Sequence, residues 1–190
     1  MGDTFGAFQS CEGEDAALES LLLCFSPSLL PLQQRWRNNG LSADFLADYV
    51  TTFFPKNEDD PASATRQSAV KGAVSYIANE LLEIAMKYSE GNSLPITIRL
   101  VLQADRIIFE ETNAASAASA EAYRRFIGEV QQSDPADIYF HKVEAMATSG
   151  DASGLGLITM IIDYGASLAW RFEAAAGGGE VVTTQVCLVV

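Results

Sequence analysis

The chain has 190 residues, 48% of them apolar, enough to bury one sizeable core within the ordinary range of a single domain. Its 25 acidic residues against 12 basic ones leave a net charge of −13, and the bases are scattered, which excludes a nucleic-acid backbone and an anionic membrane surface as partners. Three cysteines, Cys11, Cys24 and Cys187, with no CxxC pair and no His/Cys ligand spacing, argue against a disulfide framework and a structural zinc and point to a reducing cytoplasm. The opening MGDTFGAFQSCEGED has no basic stretch followed by an apolar one, Gly6 stands where a myristoylation signal wants Ser or Thr, and no apolar run approaches the length of a membrane span.

In chain order, residues 1–15 read as a frayed polar terminus and Pro55–Ala64 (PKNEDDPASA) as a linker. Residues 1–64 are therefore expected to form an N-terminal extension and linker packed on a core domain of residues 65–190. Between terminus and linker lie the apolar run LESLLLCF, the phrase SPSLLPLQQRWRNNG, and Ser42–Phe54, where Phe45, Leu46, Tyr49, Val50 and Phe53 recur at helical spacing. With Trp36 and Phe54, these aromatics serve equally as a homodimer interface or as a cap on the core; a homodimer is the expectation carried forward.

Arg66–Ser89 is the clearest helix, with Val70, Val74, Ile77, Leu81, Ala85 and Tyr88 forming one apolar stripe. Ile96, Ile98, Leu100 and Leu102 then alternate with Thr97, Arg99, Val101 and Gln103 as a half-buried strand, and a turn at 103–106 leads to a second strand over Ile107–Thr112. Two short helices follow, the second opened by Asp134-Pro135. After the loop TSGDASG come a helix from Leu155 to about Tyr164, a strand over Ser167–Glu173, the turn AAAGGGE and a strand over Val181–Val190. This order predicts an α+β fold, a two-layer α/β sandwich with helices on one sheet face.

On the long helix, Glu80, Ile84 and Lys87 share one face, opposite the apolar stripe, because steps of four and three return to nearly the same angle. A solvated face would account for Glu80 and Lys87 alone. In the loop Ser149–Leu157, Gly154 and Gly156 let a phosphate approach the backbone, and the following helix start offers unpaired N–H groups; a packing turn accounts for the same glycines. His141, the single histidine, sits on a helix with no nucleophile partner in view, and Glu80 with Glu83 lack the aromatic platform a glycosidase needs.

The phrase NELLEIAMKYS over residues 79–89 resembles the N-box of histidine kinases and their ATPase relatives, and SGLGL over 153–157 resembles their glycine segment. The resemblance implies the histidine-kinase-like ATPase (Bergerat) fold. It implies that Glu80 stands at the general-base position, Lys87 at the phosphate-facing position and Ile84 at the position of the magnesium-binding Asn. The pocket it implies is lined by Glu80, Glu83, Ile84, Lys87, Tyr88, Ser153, Gly154, Leu155, Gly156 and Leu157. Asn113 in FEETNAA aligns with the Asp of the adenine-reading motif VxDxGxG and Ala115 with a Gly; a strand-end cap or turn explains Asn113 as well. Together with FSPSLLPLQQRWRNNGLSADFLADYVTTFFP and GLITMIIDYGASLAWRFE, almost the whole chain resembles a cyanobacterial family of stand-alone regulators related to the SiaB-type protein kinases. That likeness implies signalling through a small partner protein, alongside a phosphatase.

Ile84 offers magnesium no oxygen, and phosphoryl transfer depends on that metal. The expectation is a cytoplasmic regulator that binds an adenine nucleotide (ADP or ATP) or FAD without magnesium and without turnover. An active serine/threonine kinase and a ligand-free scaffold are the alternatives. On this reading Ile84 is a surface-like position, and Ile84→Asn should cost little stability.

Overall fold

The computed structural model describes residues 2–10, 19–26, 32–89, 94–149, 154–175 and 178–190. Its longest element is a helix that begins inside the stretch read as a linker. Asp60 accepts from the Ala62 N–H at 3.0 Å and Pro61 occupies the first turn, where its missing N–H costs nothing. An acid and a proline that look like linker composition are thus the start signal of the helix.

In order, the elements are β1 (Asp3–Phe5), β2 (Glu19–Phe25), α1 (Leu32–Thr51), α2 (Pro61–Tyr88), β3 (Ile96–Leu102), β4 (Arg106–Ala115), α3 (Ala117–Gln132), α4 (Pro135–Ser149), α5 (Leu155–Tyr164), β5 (Ser167–Ala174) and β6 (Glu180–Val189). The strands form one antiparallel sheet in the order β1-β5-β6-β4-β3-β2, which with the helices makes an α/β sandwich. Both edge strands come from the N-terminal 25 residues: β2 pairs with β3 along Glu19–Phe25, and β1 pairs with β5. The segment read as an extension therefore completes the core sheet.

The main core joins the α2 stripe (Val70, Val74, Ile77, Ala78, Leu81, Leu82) to the inward residues of the sheet (Ile98, Leu100, Ile107, Phe109, Trp170, Phe172, Val186). α1 packs along α2 through Ala43, Leu46, Ala47 and Val50. It starts ten residues before the helical spacing read from the sequence. Phe45 on its outer side and Phe53, two residues past its end, are 51% and 41% exposed, and Tyr49 stacks on the first at 6.5 Å and meets the second edge-on at 5.5 Å. The five-residue stripe is thus two stripes, one buried and one open. On the opposite sheet face, the Gln9 N–H donates to Gln185 Oε1 at 2.7 Å, and the Gln103 amide donates to the Ser10 carbonyl at 3.1 Å.

Three strand and helix limits also differ from the sequence reading. β4 runs on to Ala115, because its partner β6 is long enough to pair every residue to Glu180. Asn113 is therefore a strand residue opposite Val182, neither a cap nor a turn. α3 and α4 are full helices of 16 and 15 residues, the first capped by Ser116, which accepts from the Ser119 N–H at 3.1 Å.

Leu81 is fully buried at the centre of the α2 stripe. Leu81→Ala is expected to lower stability by about 2–5 kcal/mol, read as a shift of the urea midpoint at unchanged slope.

Candidate functional site

The last turns of α2, the start of α5, one face of α3 and the helix-facing side of β4 meet around a small set of side chains. On α2, Asn79 donates to Glu83 Oε1 at 2.8 Å. Glu80 is half-buried, and burial, followed by the charge of Glu83, raises its pKa above the ordinary carboxylate range. Lys87 is exposed at the rim, its ammonium 5.6 Å from the centre of the Tyr88 ring.

Ile84 differs from the sequence expectation. It is half-buried and packed against the main core, so it is a contact residue and not a surface-like one. Among the described residues no group of three or more His, Cys, Asp or Glu side chains could hold a metal ion. Ile84 itself offers a cation no oxygen ligand.

The glycines of the loop are explained by their neighbours. Gly154 is left-handed (φ +79°), and a Cβ there would lie 2.6 Å from the Phe126 ring. A Cβ on Gly156 would overlap the Glu80 carboxylate. Glu80 and Gly156, singled out separately in the sequence, are therefore in contact. Leu155 is half-buried, Leu157 is buried in the core and takes no place on the site's surface, and Ser153 lies outside the described residues.

α3 closes this region with an aromatic row. Tyr88 stacks on Tyr123 (5.6 Å, 10°) and Tyr123 on Phe126 (6.4 Å, 19°). The Tyr123 hydroxyl accepts from Trp170 Nε1 at 3.0 Å and lies 3.2 Å from Thr184 Oγ1. Burial raises the pKa of this phenol far above its ordinary value, so it stays neutral. Beside it, Arg124 binds both oxygens of Glu180 (3.0 and 2.6 Å), reaches Asp3 at 3.1 Å and lies 4.3 Å from the centre of the Phe172 ring.

On β4, Asn113 is 3% exposed and its amide donates to the Ala114 carbonyl at 3.2 Å. Glu111, two residues earlier on the same face, is fully buried, and neither carboxyl oxygen has a hydrogen-bond partner among the described residues. Its register neighbours are Ile98 and Thr184. Burial raises its pKa well above the carboxylate range, which favours the neutral acid. The sequence reading passed over Glu111. The signal was there: Ile107, Phe109, Glu111, Asn113 and Ala115 share the inward phase of the strand, and an acid in that phase is out of place.

No protein-family model and no curated protein sequence matches the chain. Among solved structures, a chain in the crystal structure of the SiaB–SiaC complex from Pseudomonas aeruginosa has a similar fold, with a TM-score of 0.51 and 15% identity over 93% of this chain and 92% of that one. The fold is thus an α/β sandwich of the kind found in that complex. No helix among the described residues is long and apolar enough to cross a membrane.

Two expectations follow from the site. Ile84→Asn is expected to cost about 1–3 kcal/mol, since it places an amide against apolar neighbours; a urea titration measures it. For Glu111, the folded state keeps a proton that the unfolded chain releases above the ordinary value of 4.5. Stability should then fall as pH rises from that value towards the raised folded one. Glu111→Gln removes this slope, so the variant should gain on the native protein as pH rises above about 5, as read from denaturation midpoints.

Proposed function

We propose that the chain is a signalling regulator that acts through a small partner protein, on a histidine-kinase-like ATPase fold. Its site takes a nucleotide-derived ligand, an adenine nucleotide or FAD, without magnesium-dependent phosphotransfer. The observation that carries the proposal is Ile84, a half-buried apolar residue packed against the core at the N-box position where the resemblance wants a magnesium-binding Asn. The partner rests on the fold shared with a chain of a complex between two proteins, SiaB and SiaC. A phosphatase acting alongside, a homodimer and a cytoplasmic location complete the reading.

The residues present fit the ring end of such a ligand better than its metal. Glu111 and Asn113 are buried polar groups on one strand face, and Tyr88, half-buried and stacked on Tyr123, places an aromatic ring beside them. At the phosphate end, Lys87 supplies a cation at the rim and the start of α5 supplies backbone N–H groups. Glu80 lies over Gly156 and has to swing aside for a diphosphate.

One observation favours the ligand-free scaffold as a second reading: Phe126 and Glu80 occupy the space that Gly154 and Gly156 leave open. The active-kinase reading has no comparable support at Ile84.

Mass spectrometry and the absorption spectrum of the purified protein separate these. The proposal expects an adenine band or a yellow flavin spectrum, binding of ADP or FAD without magnesium, and no hydrolysis of magnesium-ATP. Protein free of ligand that binds neither ADP nor FAD would establish the scaffold instead. Phosphorylation of a partner protein in the presence of magnesium-ATP would establish the kinase.

A further inference from the structure

Among the described residues Glu111 is the single Asp, Glu, Lys or Arg side chain that is fully buried, and it stands on a central strand. Its neighbours in phase along β4, Ile107 and Phe109 on one side and Ala115 beyond Asn113 on the other, are apolar and packed into the core. An apolar residue of similar shape would suit the sheet better, because a buried carboxyl with both oxygens unpartnered forfeits its hydration without return. Buried polar groups left without partners are uncommon in folded proteins and concentrate where a ligand completes the bonding.

Three further features converge on this carboxyl. Asn113 lies two residues along the same strand face, about 7 Å away, and its amide donates to the adjacent carbonyl. Tyr123 reaches Thr184, directly across the ladder from Glu111, and closes the place from the helix side. Tyr88, half-buried at the end of α2, lies nearly parallel to Tyr123. The acid and the amide offer a hydrogen-bonding edge of the kind a flat heterocycle requires, and the two rings, stacked on each other, wall that edge from the helix side.

We propose that Glu111 is the ring-reading group of the site: as a neutral acid it donates one hydrogen bond to, and accepts another from, the edge of a planar heterocycle that carries an acceptor and a donor side by side. The amino edge of adenine and the imide edge of a flavin both present that pair. The inference rests on the nucleotide reading above and assigns the recognition to a residue at which the resemblance has an apolar side chain. Ring entry requires Tyr123 to move, because its ring and hydroxyl now cover Thr184 beside the acid.

The test is calorimetric titration of ADP and of FAD, without magnesium, into the native protein and the variants Glu111→Gln, Glu111→Met and Glu111→Leu, each checked by thermal melting. Glu111→Gln keeps a donor and an acceptor in the same places and should hold affinity within a few-fold. Glu111→Met and Glu111→Leu should melt at or above the native temperature yet bind at least about ten-fold more weakly. Two apolar variants are used so that poor packing of one does not decide the result. Native affinity in a folded Met or Leu variant would overturn the inference and leave the nucleotide reading standing. A Gln variant weakened as much as the Met variant would overturn the neutral donor–acceptor pairing. If the native protein takes neither ADP nor FAD, the nucleotide reading fails and the inference with it.

Discussion

The shape of the site depends on how Tyr123 is held. Its hydroxyl lies between Trp170 Nε1 and Thr184 Oγ1, and its ring stands edge-on to Trp170 and Phe172 at 6.3 and 6.2 Å. A buried phenol must find partners for its oxygen, and these come from β5 and β6. That requirement fixes α3 across the sheet, and Arg124, one residue on, repeats the attachment at Glu180 and Asp3. Phe126, one turn along α3 from Tyr123, is thereby placed against Gly154 and sets how α5 enters the site. The helices over this face of the sheet are thus tied to it by polar contacts as well as by apolar burial.

Polarity in this chain is distributed differently from the pattern its motifs resemble. On α2 the N-box position expected to carry an oxygen ligand is Ile84, packed against the core. On β4 a phase that is otherwise apolar carries Glu111, which gains nothing from the protein around it. The first departure removes a means of holding a cation, and the second supplies a neutral donor and acceptor deep in the fold. Both are consistent with a ligand recognised through its ring and not through metal-bound phosphates.

Much of the architecture was legible in the sequence where periodicity governs. The α2 stripe, the β3–β4 alternation and the Leu155–Tyr164 helix depend on local patterns that tertiary contacts reinforce. The N-terminal strands were not legible, because β2 finds its partner about 75 residues away and β1 about 165 residues away, and nothing local specifies a long-range pairing. The beginning of α2 was obscured because Pro and Asp signal both linkers and helix starts, and only the capping bond separates the two. Glu80, Ile84 and the glycines were singled out by the resemblance of their phrases to known motifs, whereas the Phe126 contact with Gly154 joins residues whose proximity no sequence interval encodes.

The two glycines of the loop carry different constraints. Gly154 combines a left-handed backbone with an aromatic ring that is itself stacked on Tyr123, so its space is rigidly filled and a side chain there is strained whatever binds nearby. Gly156 meets only the far end of Glu80, a side chain that can rotate about three bonds, and burial with the nearby Glu83 weakens the hold of Glu80 on its negative charge. A phosphate approaching the start of α5 would therefore meet less resistance at Gly156 than at Gly154. Departure of Glu80 into solvent would let it ionise fully, while its former place is taken by an anion that the helix N-terminus favours. On the proposed reading, Gly154 belongs to the packing of the fold and Gly156 to the ligand, a division between two glycines of one motif that the spacing alone could not make.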